Sequence, residues 1–134
     1  MVKRFSKEIF NCNSTKLPAN LIGVAVQVVS TDIPHAGIFI RHNGESKLFH
    51  YTGTEILLED INNGENYFLK QIYFIEPFLT SSFLLHCQTV KKEAKPQYGH
   101  FVVGGFYDED GHYIDDSGKG EYMTCVGFCL NFIK

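Results

Sequence analysis

The sequence predicts an α+β domain in which an antiparallel sheet packs against helices. Three observations carry this reading. The chain up to Ile75 holds several short runs of β-branched and aromatic residues parted by turn signals, Asn43-Gly44 among them. From Pro77, apolar residues recur at near-helical spacing. The last segment, Thr124 to Ile133, is apolar on more than one side of a helix.

The 134 residues fit one domain, read as 1–134 with an N-terminal extension over 1–19 and a loop insertion over 106–122. Such a length buries about two-thirds of its unfolded surface and needs no disulfide staples. Lysine and arginine total 12 against 15 acidic residues, net −3, and no basic stripe appears, which argues against a nucleic-acid partner. There is no apolar run of about 20 residues, so no membrane span is expected. No h-region follows the basic start, so the expected location is cytoplasmic, with export by a dedicated system as the other route.

Leu21 to Val29, LIGVAVQVV, reads as a buried strand, and Pro34 resets the chain. His35 to Arg41 and Lys47 to Thr52 are strands joined through Asn43-Gly44, the strongest short-range hairpin signal. Glu55 to Asp60 and Tyr67 to Ile75 are further strands around the turn Asn62-Asn63-Gly64. Pro77 suits the first turn of a helix running to about Lys92. Asp108 to Tyr122 is acidic and poor in aliphatics, and reads as a hairpin or surface loop; its likeness to a calcium loop is weak. In the last helix Cys125, Phe128, Cys129 and Phe132 form one stripe and Val126, Leu130 and Ile133 another, so the helix is expected to be buried, with Thr124 as its N-cap.

The hairpin yields the first chemical inference. With Asn43 and Gly44 at the turn positions, His42 faces Glu45, Gly37 faces His50 and His35 faces Thr52. His35 and His50 therefore share a face as diagonal neighbours beside an empty slot at Gly37. The other face carries Ala36, Ile38, Ile40, Phe49 and Tyr51 and reads as core. Among the cysteines at 12, 87, 125 and 129, only Cys125 opens a helix. There the free backbone N–H groups and the dipole favour a thiolate and offer donors to an oxyanion. Cys129 lies one turn inside, as a small buried hydrophobe. A zinc site would need two more ligands, for which His100 and His112 are candidates, but the spacing matches no familiar finger.

Cys125-Val126-Gly127-Phe128 resembles the C-S-G-F of NlpC-type cysteine peptidases, in which the cysteine opens the central helix of a papain-like fold. Lys95-Pro96-Gln97-Tyr98-Gly99 and Gly104-Gly105 resemble the segment that precedes it there, and His35-Ala36-Gly37-Ile38 the H-x-G-I/V strand that supplies the base. Histidine precedes cysteine here, an order similar to the circularly permuted branch that includes the lecithin:retinol-acyltransferase-like proteins. Thr124 and Val126 depart from the family pattern, and the N-C-E-H signature of the acyltransferases is missing. The resemblance implies a cysteine hydrolase of peptide or isopeptide bonds, with peptidoglycan fragments as a substrate class and neither metal nor organic cofactor. Cys125 would be nucleophile, His35 general base, His50 its orienting partner, and Tyr98 a hydrogen-bond donor near the cleft. The alternatives are a non-catalytic binding module on the same scaffold, a thiol acyltransferase or lipid amidase, and a redox sensor using Cys125 and Cys129.

Overall fold

The structure, a computed structural model, describes residues 9–28, 34–61, 66–99, 105–115 and 120–133. Six strands form one sheet: β1 (Ile9–Asn11), β2 (Leu21–Val28), β3 (Pro34–His42), β4 (Glu45–Tyr51), β5 (Ile56–Asp60) and β6 (Phe68–Gln71). Their order is β1-β6-β2-β3-β4-β5, and every neighbouring pair is antiparallel. A 3-10 turn over Pro77–Leu79 leads into helix α1 (Thr80–Glu93). Short strands follow, β7 (Gln97–Tyr98), β8 (Phe106–Tyr107), β9 (Tyr113–Ile114) and β10 (Tyr122–Met123), before the terminal helix α2 (Cys125–Phe132). The class is α+β, as the sequence predicts. Among the described residues, no helix is long and apolar enough to cross a membrane.

The hairpin register follows from its turn. Asn43 and Gly44 take φ of 49° and 83°, the left-handed pair that a two-residue hairpin turn requires. His42 pairs with Glu45 and Ile38 with Phe49, which is the expected register. Residues 9–20 belong to the folded unit rather than extending from it. β1 pairs with β6, and the loop after it docks on the hairpin tip through Gly44 N–H to the Ala19 carbonyl (3.0 Å).

Strand alternation gives the sheet two apolar faces. On one, Ile22, Ile38, Ile40, Phe49 and Tyr51 pack against Cys87 and Val90 of α1 and Phe128, Cys129 and Phe132 of α2. On the other, Leu21, Ala25, Phe39, Leu48 and Leu69 lie under Cys12, Leu17 and Tyr67. Helices thus cover one face and the N-terminal loop part of the other.

Several expectations need correction. The strand expected over Tyr67 to Ile75 ends at Gln71: the Ile72 amide donates to the Ile22 carbonyl (2.8 Å), and the chain then turns with Tyr73 and Phe74 exposed. α1 begins at Thr80, because Pro77–Leu79 winds as a 3-10 turn. α2 is buried on one stripe alone: Phe128, Cys129 and Phe132 are in the core, whereas Val126 and Leu130 are 51% and 55% exposed. In the 106–122 segment the β8–β9 hairpin agrees with the expectation of a hairpin or loop, and β10 runs parallel to β7. The turn at 62–64, His100 and Gly104 lie outside the described residues.

Candidate functional site

The second face of the sheet carries a chain of three polar side chains, one from each of three adjacent strands. His35 opens β3, His50 lies near the end of β4, and Glu59 lies on β5, whose register pairs Leu57 with His50 and Glu59 with Leu48. His35 Nε2 lies 2.6 Å from His50 Nδ1, and His50 Nε2 lies 2.7 Å from Glu59 Oε2. The imidazoles meet edge to face, with centroids 4.8 Å apart. His50 is 6% exposed, whereas the Glu59 side chain is 54% exposed. Gly37 lets the rings approach: a Cβ there would sit 3.1 Å from His50 Cβ and 2.7 Å from Leu48 Cδ1. The slot beside Gly37, expected to be empty, is filled by Leu48.

The chain has a polarity. An ionised Glu59 only accepts, so His50 donates through Nε2–H and keeps its lone pair on Nδ1. His35 then donates through Nε2–H, which leaves the His35 Nδ1 lone pair for another partner. Among the described residues no hydrogen bond claims it. Burial is the main cause holding the His35 pKa below its ordinary value, His50 adds to the lowering, and the Glu59 charge opposes it. His35 is thus kept neutral near pH 7, the state in which an imidazole accepts a proton.

The cysteines separate by environment. None of the four cysteines forms a disulfide, and Cys12, Cys87 and Cys129 are buried. Burial raises the pKa of Cys87, and with Cys125 beside it pushes that of Cys129 up to about 12. Such thiols stay protonated and inert. Cys125 is half-buried, at the rim of the helix-side core. It opens α2 as expected: Thr124 Oγ1 caps the helix by accepting from the Gly127 amide (3.1 Å).

The structure brings His35 and His50 together and adds Glu59, but it does not join Cys125 to them. No hydrogen bond links Cys125 to either imidazole among the described residues. Strand alternation is the reason: α2 packs on the face of Ala36, Ile38 and Phe49, and the histidines lie on the other. What they share is an end of the sheet. Phe128 packs on Tyr51 and Phe49 (centroids 6.1 and 5.2 Å), and Phe132 on Phe49 and Phe83 (4.8 and 5.3 Å). α2 therefore runs away from the end where β4 finishes and β3 begins, and Cys125 stands at that end. Tyr98 is there too: it pairs with Met123, and its ring lies 3.5 Å from the position of a Cβ on Gly53. The Tyr51 hydroxyl ties the same corner together, reaching the carbonyls of Gly53 (2.9 Å) and Pro96 (3.2 Å).

No family model, curated protein or solved structure matches this chain. Glu59 is the site residue that the sequence reading missed. Its signal was present: Thr52-Gly53-Thr54-Glu55 is a turn, and continuing the strand count through it puts Glu59 diagonal to His50.

Asp108, Asp110 and His112 also cluster, with one ligand atom of each within 4.8 Å of the others. Asp108 Oδ1 accepts from the amides of Asp110 (3.0 Å) and His112 (2.8 Å), so that carboxylate shapes the turn.

Proposed function

We propose that the chain is a cysteine hydrolase of amide bonds, a permuted relative of the papain-like NlpC-type peptidases, with Cys125 as nucleophile and His35 as its base. The single observation that supports this most is the polarised His35–His50–Glu59 chain, which leaves an accepting nitrogen on a half-buried, neutral imidazole. The half-buried thiol on a capped helix at the same end of the sheet supports it further. This reaction requires Cys125 and His35 to meet around the end of the sheet that they share; His35 Nδ1 then takes the Cys125 thiol proton and the sulfur attacks the carbonyl carbon. His35 then gives that proton to the leaving amine as the C–N bond breaks. Water, deprotonated by His35, hydrolyses the thioester and restores the thiol. His50 and Glu59 hold His35 in the accepting tautomer, and the Glu59 charge favours the imidazolium. A peptide or isopeptide is the substrate class.

The relation of the two faces favours a second reading, a binding module in which the histidine chain is a structural polar seam. Alkylation separates the two. Carboxamidomethylation of Cys125 by iodoacetamide at about pH 7, followed by mass spectrometry, is expected to be faster than that of a small free thiol. The His35→Ala protein is expected to react more slowly than wild type. Matching rates for wild type and His35→Ala would remove Cys125–His35 coupling and leave the binding module.

A further inference from the structure

The far end of β3 carries a second polar site. A cavity of about 800 Å³ opens between the hairpin tip and the loop after β1. Cys12, Ser14, Arg41, Glu45, Lys47 and Asp60 are among its lining residues. Arg41 lies on the same face as His35 but six residues along the strand, about 20 Å away at ~3.3 Å per residue.

The Arg41 guanidinium is half used. Its Nη1 donates to the Leu17 carbonyl (3.3 Å), which fixes the group against the loop. Its Nε is buried, with no hydrogen-bond partner among the described residues. Nε–H and the neighbouring Nη2–H form the side-on fork that takes an oxyanion through two parallel bonds. A buried donor left without a partner is unfavourable, and few occur in folded proteins. The other cation is engaged: Lys47 Nζ lies 2.6 Å from Asp60 Oδ1. Glu45 places a further carboxylate at the rim. The cavity thus holds one unclaimed cationic fork beside acidic groups, a balance that suits one negative charge and disfavours two.

We infer that this cavity binds a monocarboxylate, such as the terminus of a short peptide, through the Nε/Nη2 fork of Arg41, a small turn of that side chain uncovering the Nε–H that is closed to solvent in this structure. Serine and asparagine side chains of the loop provide polar neighbours for the rest of the ligand. The site stands apart from the histidine chain and does not depend on the proposed hydrolase reading.

The test is a titration of the full chain followed by ¹H–¹⁵N NMR of the Arg41 Nε–Hε resonance. The probes are acetate, glycylglycine, acetamide and inorganic phosphate. Acetate or glycylglycine should shift that resonance saturably, and acetamide should not. Arg41→Lys, which keeps the charge and loses the fork, should bind the carboxylates about tenfold or more weakly. Glu45→Gln, which removes a like charge, should bind acetate more tightly. His35→Ala should bind as the wild type does. If Arg41→Lys does not fold, the wild-type resonance and Glu45→Gln still decide. The inference fails if the Arg41 resonance is unmoved, if Arg41→Lys binds equally well, if Glu45→Gln weakens acetate, or if phosphate binds and carboxylates do not.

Discussion

At the scale of single residues, the His35–His50–Glu59 chain makes two predictions. Glu59→Gln replaces a group that only accepts with one that also donates, so the tautomer of His50 is no longer dictated. ¹⁵N chemical shifts of the imidazoles should then show mixed tautomers at His50, and alkylation of Cys125 should slow if the hydrolase reading holds. The second concerns acid. The folded state holds His35 below its ordinary pKa mainly through burial. The unfolded chain therefore binds the proton first, near pH 6.5, and stability is lost as pH falls from there through the lower folded value. His86 acts with the same sign, lowered by burial against the opposing charge of Asp108. The urea midpoint should drop between pH 7.5 and 5.5, and His35→Gln with His86→Gln should shrink that drop. An unchanged pH dependence in the double variant would refute the assignment.

At the scale of elements, the cap of α2 and the glycine of β3 are the positions to test. Thr124 Oγ1 takes one of the free amides at the helix start, so Thr124→Ala should cost about 1 kcal/mol in chemical denaturation, and Thr124→Ser should recover most of it. Gly37→Ala would press a methyl on Leu48 and His50 and should break the short His35–His50 bond with modest loss of stability. NMR reads the first effect and a urea melt the second. A Gly37→Ala protein that kept the hydrogen bond would show that the rings do not need that approach. The hairpin was legible in the sequence because Asn43-Gly44 leaves one register open and β-strand parity does the rest. The placement of Cys125 relative to His35 was not. Helix periodicity reports which stripe of α2 is apolar, not which face of a sheet receives it. The exposure of Val126 and Leu130 has the same origin: both stripes are apolar in sequence, and tertiary packing covers one of them.

At the scale of the whole molecule, Phe49 holds the helical face to the sheet. Its ring meets Phe128 and Phe132 at centroid distances of 5.2 and 4.8 Å, and it is fully buried. Phe49→Ala should cost about 3–5 kcal/mol, a large share of a typical domain stability. A urea melt within about 1 kcal/mol of wild type would show that this contact is not central. Two apolar faces could be anticipated from the alternation of β3 and β4, since Phe39 and Leu48 mirror Ile38 and Phe49. What covers the second face could not, because Cys12 and Leu17 carry no helix or strand pattern. The consecutive run β2-β3-β4-β5 has one further consequence. Contacts between sequence neighbours lose little chain entropy on closing, so this meander is the part best placed to assemble early. The two imidazoles and their carboxylate, separated by only 15 and 9 positions, would then be aligned before the thiol-bearing helix docks. Pulse-labelled hydrogen exchange would read this as protection of the meander amides ahead of those in the terminal helix.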